Sequence, residues 1–277
     1  MDALVSYLYL LAPPPGSFHA PTLPENIVFA GDSAGGGLSI SLLQLILELR
    51  RQGLHHLTWH GQKVELKVPG GVAANSPWLD VTRCMPSIIG NAAYDYLPPP
   101  REVNYNDHFP KDDIWPTKPP RGDLYCKIDE LCHPLVSPLA AKDWTGSCPV
   151  WIGCGQEMLA DEDAWFATYL IQNSVTVQWD QFEAMPHCFA LIFPNDTVGN
   201  LYFNCWSSFV NQVVYSGGSK MKTSGRWFKA KTLQMSKVDV ASLGEGWTFD
   251  KVVSRMREVQ ARRAKGEESE TKILPQP

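Results

Sequence analysis

The sequence predicts an α/β fold, a mostly parallel sheet with helices on both faces, on three observations. Short apolar runs rich in strand formers recur at 26–30, 68–76, 149–155 and 175–179. Segments with apolar residues at helical spacing alternate with them. Glycine, proline and polar turn residues punctuate the joins, and strands alternating with helices in this way imply parallel pairing.

Taken in order, Met1-Asp2 and the apolar run Ala3 to Ala12 read as a short buried helix that stops at Pro13-Pro14-Pro15. The run lacks a basic leader region and is too short to span a bilayer, so neither a secretory signal nor a membrane helix fits it. Asn26-Ile27-Val28-Phe29-Ala30 is the first core strand. Leu38, Leu42, Leu45, Ile46 and Leu49 mark a helix behind it, ended by Arg50-Arg51 and Gly53. His55 to Lys67 reads as a polar excursion, and Val68 to Ser76 as a second strand leading into Pro77-Trp78-Leu79-Asp80. Residues 84–135 differ: prolines cluster there, with Trp115 and several tyrosines among them, and apolar periodicity is weak. A long irregular insert of this kind suits a lid or binding region. The pattern resumes with a strand at Pro149 to Gly155, a helix over Glu162 to Gln172, a strand at Val175 to Trp179 and a closing helix over Leu201 to Tyr215. From Ser216 the chain reads as a polar, basic extension, disordered from Arg262 to Pro277. Within it, the stretch around Lys220 to Lys231, with Trp227 and Phe228, reads as a solvated linker, with contact to a membrane surface or partner as the other possibility.

Composition narrows the function classes. Of 277 residues, 44% are hydrophobic and 19% charged, and the formal net charge is −5. That suits a soluble globular protein with a sizeable core and argues against nucleic acid as partner. The seven cysteines form no CxxC pair, so no zinc site is expected. Cys126 and Cys132 are the pair placed for a disulfide, against a plain reading of scattered free thiols. Without a convincing leader a cytoplasmic location is slightly favoured, and the glycosylation acceptor pattern Asn195-Asp196-Thr197 carries little weight. Oligomeric state is not legible.

The chemistry lies in Gly31-Asp32-Ser33-Ala34-Gly35-Gly36-Gly37. Gly-x-Ser-x-Gly between a strand and a helix is the nucleophile turn of an α/β-hydrolase. A strained turn lifts the hydroxyl above the sheet, glycines on either side let strand and helix approach, and the helix start offers N–H groups to an oxyanion. Ser33 is the expected nucleophile and the Ala34 N–H an oxyanion donor. Trypsin-like proteases share Gly-Asp-Ser, but they continue Gly-Gly, sit in an all-β fold and place His and Asp ahead of Ser. In an α/β-hydrolase the acid and then the histidine follow the serine. Of the seven histidines, His187 fits, in Met185-Pro186-His187-Cys188-Phe189 after the 175–179 strand. The acid should leave the end of the 149–155 strand. Glu157 does so and is preferred, whereas Asp161 looks like a helix first-turn residue and stays the alternative acid.

Together these residues resemble the hormone-sensitive lipase family of α/β-hydrolases, including its fungal esterase-like members. The resemblance rests on Gly31-Asp32-Ser33-Ala34-Gly35-Gly36, Ser76-Pro77-Trp78-Leu79-Asp80, Val136-Ser137-Pro138-Leu139-Ala140, Glu157 to Glu162 and Met185 to Phe189. It covers roughly residues 1 to 215. It implies hydrolysis of carboxylic (acyl or acetyl) esters through an acyl-enzyme, a small-molecule ester substrate, and no metal or organic cofactor. Where the family usually has Asp, Glu157 stands. The family's His-Gly-Gly motif upstream of the serine, source of most of its oxyanion hole, has no counterpart in the 32 residues before Ser33. The resemblance therefore implies an N-terminally truncated α/β-hydrolase fold lacking its first strands, with an open edge on the 26–30 strand and impaired catalysis. A binding or structural fragment is the competing expectation. Trp78, Tyr94, Tyr96 and Trp115 are candidate pocket residues, each with core packing as its plainer role.

Overall fold

A computed structural model describes residues 1–98, 125–216 and 221–265. Helix α1 (Asp2–Leu11) precedes strand β1 (Val28–Asp32) and helix α2 (Ala34–Arg51). A hairpin of β2 (His56–Trp59) and β3 (Gln62–Glu65) leads to β4 (Gly71–Asn75) and the short helix α3 (Ser87–Gly90). Then come β5 (Val150–Gly155), α4 (Ala160–Gln172), β6 (Val177–Phe182), α5 (Phe189–Ile192) and α6 (Thr197–Ser216). Strands β7 (Ser224–Phe228) and β8 (Met235–Val238) and helix α7 (Phe249–Ala264) close the described chain.

The six-stranded sheet has the order β1-β4-β5-β6-β7-β8, parallel except for the final antiparallel pair. Alternate residues of each strand face opposite layers, as a period of two requires. Val72, Ile152, Cys154, Val177 and Trp179 pack with Ile40, Leu43 and Leu47 of α2, Trp165, Phe166 and Leu170 of α4, and Val252 and Met256 of α7. Ala73, Trp151 and Phe182 turn the other way, onto Tyr202, Cys205, Phe209 and Val213 of α6. The α/β reading thus holds, with helices on both faces of a mostly parallel sheet. Helix α1 and the β2–β3 hairpin form a side cluster against Leu42 and Ile46 of α2. The expected short buried helix at the start is α1, which buries Leu4, Tyr7 and Leu8. Strand β1 lies at a sheet edge, with Ala30 and Asp32 exposed.

Three regions differ from the sequence reading. The polar excursion at 55–67 is the β2–β3 hairpin, closed by His60 and Gly61 at φ of 45° and 74°. Two central residues with positive φ make a type I′ turn; histidine takes the place that asparagine usually fills, so the sequence lacks the usual hairpin signal. The solvated-linker reading of 220–231 is corrected by β7, which pairs with β6 in parallel. Its pairing is fixed by charge: Asp180 of β6 stands opposite Arg226 of β7 and accepts from Arg226 Nε at 2.5 Å and Nη2 at 2.6 Å. Asp180 also accepts from Trp151 Nε1 at 2.8 Å, so one carboxylate ties three strands. Third, α7 is strongly polar and buries Val252 and Met256 in the core, with Phe249 and Val259 packed against it. It is anchored largely through its polar face, where Arg255 donates to Cys84 O and Arg263 to Thr82 O. Residues 266–277, most of the stretch expected to be disordered, lie outside the described residues. Cys132 is a free thiol, so the Cys126–Cys132 disulfide does not form. No helix among the described residues is long and apolar enough to cross a membrane.

Replacing Asp180 with alanine would leave the buried Trp151 N–H and one face of Arg226 without an acceptor. A loss of about 2–3 kcal/mol is expected, measured by urea unfolding, with Asp180→Asn losing less because it still accepts from Trp151. An equal loss in both variants would show that the charge, not the acceptor, matters.

Candidate active site

Ser33 joins β1 to α2 at φ 54° and ψ −118°, a conformation that costs an L-residue free energy and must be held by its surroundings. The tail of β4 holds it. Ser33 N–H donates to Asn75 O at 2.9 Å and Ser33 O accepts from Trp78 N–H at 2.9 Å. Glycine permits the approach: a Cβ on Gly31 would meet Gly35 O, and one on Gly37 would meet Trp78 O. Gly35, by contrast, has open space where its Cβ would be, so the glycines that matter sterically are 31, 36 and 37. Since α2 begins at Ala34, the Ala34 N–H lies among the first-turn donors that have no intrahelical acceptor.

Glu157 leaves the end of β5, fully buried, and His187 leaves the loop after β6, 3% exposed. They meet: Glu157 Oε2 pairs with His187 Nδ1. The other carboxylate oxygen accepts from Ser76 Oγ at 2.5 Å and Gly155 N–H at 3.0 Å. Ser76 Oγ in turn accepts from Cys188 N–H at 3.2 Å, so one hydroxyl links the acid to the histidine loop. Asp161, the alternative acid, is occupied elsewhere. Its Oδ2 accepts from Ser87 N–H at 2.8 Å in the first turn of α4. Among the described residues, no hydrogen bond joins Ser33 Oγ to His187.

Burial works against the His187 imidazolium. Its hydrogen bonds to Cys188 and Glu157, together with the Glu157 charge, outweigh burial and push it up to about 10. A raised histidine keeps its proton at neutral pH and surrenders it only as a neighbour's field is offset.

The structure also supplies residues that sequence reasoning missed. Ser76 enters the sequence reading only as part of a motif; its position at the end of a core strand, next to the strand that carries Glu157, is the signal that could have found it. Asp95 gave no signal, because it lies in the irregular insert. It accepts from Met158 N–H at 2.8 Å and His187 N–H at 3.3 Å, gathering the acid and histidine loops. Of the candidate pocket residues, Tyr96 reaches the site, its ring 6.2 Å from that of His187. Tyr94 is 43% exposed. Trp78 sets its ring edge-on to Tyr125 and donates from Nε1 to Asp80 O. Trp115 lies outside the described residues. Cys154 Sγ, a Glu157 oxygen and an Asp163 oxygen lie within 4.8 Å of one another, a donor set that a cation could use.

The arrangement can lower the cost of nucleophilic attack by a hydroxyl: a serine on a strained turn, a helix start beside it and a buried acid–base pair. A family model described as the alpha/beta hydrolase fold matches residues 1–191. The chain belongs to the alpha/beta hydrolase fold family. No curated protein matches it. Among solved structures it is similar to a mutant of the esterase E40, with 22% identity and a TM-score of 0.57. It is also similar to an esterase from the bacterial hormone-sensitive lipase family, with 23% identity and a TM-score of 0.55. EstE5 soaked with p-nitrophenyl butyrate matches at 21% identity and a TM-score of 0.54. Each match covers 77% of this chain and 59% of the other. The chain thus spans about three fifths of the length of these structures.

The sign of the His187 shift fixes a stability profile. A histidine raised by folding adds stability that is fully present below the ordinary imidazole value of about 6.5 and is lost as pH rises through about 10. Melting of wild type and His187→Gln across the alkaline range should show a gap that narrows toward pH 10. A constant gap would mean that the imidazolium is not held by Glu157.

Proposed function

We propose that this alpha/beta hydrolase fold protein hydrolyses carboxylic (acyl or acetyl) esters through an acyl-enzyme on Ser33, as a hormone-sensitive lipase-like member of its family. What carries the reading is the buried Glu157–His187 pair in the same site as a serine held in a strained strand-to-helix turn. His187 Nε2 takes the Ser33 proton as Oγ attacks the ester carbonyl and returns it to the leaving alcohol; water repeats the sequence on the acyl-enzyme. Glu157 holds the imidazole with Nδ1 toward itself and stabilises the imidazolium that forms. The Ala34 N–H offers one hydrogen bond to the oxyanion. Tyr96, beside His187 and 57% exposed, supports the reading of that side as the wall for the acyl or alcohol group. The second reading, a hydrolase-like fragment that binds ligand with little turnover, is favoured by the oxyanion site. A single assigned donor is thin support, since each donor lost costs about 10²–10³ in rate.

A fluorophosphonate probe and p-nitrophenyl butyrate separate the two. Labelling and hydrolysis by wild type, with both lost in Ser33→Ala, are expected. Labelling without hydrolysis supports the fragment reading, and no labelling of folded protein overturns Ser33 as nucleophile. Glu157→Gln should lower hydrolysis about 10³–10⁴-fold by favouring the wrong tautomer. Because His187 is raised, the acid limb of the rate profile should lie above about 6.5. A limb at or below that value would contradict the hold of Glu157 on the ring.

A further inference from the structure

The last parallel strand and its hairpin build a cavity that the reaction just described does not use. It encloses about 410 Å³ between the ends of β6 and β7, the start of α6 and the β7–β8 turn. That is the size of a small-molecule site. Most of its lining, within 196–198 and 228–233, lies beyond the 1–191 stretch that the family model matches. Ser33, Glu157, His187 and Tyr96 take no part in it.

The floor is apolar and held in place. Phe182 of β6 and Phe228 of β7 are register partners whose rings stack 4.5 Å apart. Met185, Val198 and Leu233 join them in the lining. Two hydrogen bonds strap the hairpin to the loop after β6. Glu183 N–H donates to Phe228 O at 2.9 Å, and Ala230 N–H donates to Glu183 Oε2 at 2.7 Å. The turn itself is closed by Lys229 N–H to Gln234 O at 3.0 Å and Leu233 N–H to Lys229 O at 2.9 Å. A wall fixed in this way is ready-made, so a ligand need not bear the entropy of ordering it.

Charge at the lining selects the head of the ligand. Lys229, Lys231, Glu183 and Asp196 all contribute to it, and they are not equivalent. Glu183 is engaged by the Ala230 N–H. Asp196 directly precedes α6, where the helix start answers its negative charge. Neither lysine takes part in an ion pair among the described residues. The two ammonium groups are therefore the charges left for a ligand to answer. Volume sets the tail: at about 30 Å³ per heavy atom, the share that a water molecule takes in the liquid, the cavity holds about a dozen.

We propose that this cavity binds a straight-chain carboxylate of about ten carbons, its tail on Phe182 and Phe228 and its carboxylate at Lys229 and Lys231. The site goes beyond the ester-hydrolase reading and does not rest on it.

Calorimetric titration of the whole chain with decanoate, kept below its micelle concentration, tests the assignment. One saturable site is expected, with octanoate about tenfold weaker for the loss of two buried methylenes. The double variant Lys229→Gln, Lys231→Gln changes two exposed side chains and should fold as wild type. It should weaken decanoate about three- to tenfold and leave decanol unchanged. Val198→Trp, which fills the cavity from the first turn of α6, should abolish binding of both, and the lysine variant keeps the test decisive should it unfold. No binding by wild type, an unchanged decanoate affinity in the lysine variant, or undiminished binding to folded Val198→Trp overturns the assignment. So does tighter binding of decyltrimethylammonium than of decanoate, since Glu183 and Asp196 would then rule the rim. Protein whose Ser33 carries a fluorophosphonate label should bind decanoate as before; loss of binding there would put the chain in the catalytic site instead. If Ser33 takes no label while decanoate still depends on the lysines, the hydrolytic reading falls and this one stands.

Discussion

Two backbone hydrogen bonds, Ser33 N–H to Asn75 O and Trp78 N–H to Ser33 O, fix the residue on which the rest of the site depends. They run from the tail of β4 to the turn after β1 and hold a serine in a conformation it would not adopt alone. The same tail turns sharply at Ser76, φ 45°, and from there the Ser76 hydroxyl reaches the acid. Three residues at one strand end, Asn75, Ser76 and Trp78, thus hold the Ser33 backbone and orient Glu157. Since neighbouring parallel strands keep their spacing, the separation between serine and acid is set by the sheet and not by loop conformation.

What the sequence made legible follows from how local the signal was. The strands at β1, β4, β5 and β6, and helices α2, α4 and α6, are dense apolar segments between turn residues, so pattern alone places them within a few residues. Ser33, Glu157 and His187 were readable because each follows the end of a core strand, and the structure brings the latter two together. Strand β7 was not readable: Ser224 to Phe228 offers a basic residue and two aromatics, and its strand character comes from Asp180, forty-six positions earlier. Helix α7 was hidden for a similar reason, since its anchors are arginines bonded to carbonyls at 82 and 84. Asp95 and Asp163 were hidden for opposite reasons. One lies in an irregular segment without pattern. The other looks like an ordinary acidic residue at a helix start, where the dipole alone would excuse it.

The interior is unusually acidic around the pair. Glu157, Glu162, Asp163 and Asp180 are all essentially buried; His187 pairs with Glu157, Arg226 pairs with Asp180, and the Arg83 charge acts on Glu162. Glu162 also accepts from the backbone N–H groups of Leu79 and Asp80, and burial pushes the Asp163 carboxyl well above the usual carboxylate range. That division sets one ion pair beyond the ends of β5 and β6 and another between β6 and β7.

Asp95 has a further consequence. It takes N–H groups from the acid loop and from the histidine loop at once, while its neighbour Tyr96 stands over the histidine ring. Any outward swing of the Tyr94–Leu97 segment strips an acceptor from both loops in a single movement. The loops that carry Glu157 and His187 are therefore coupled through one carboxylate, and neither shifts without cost to that shared acceptor.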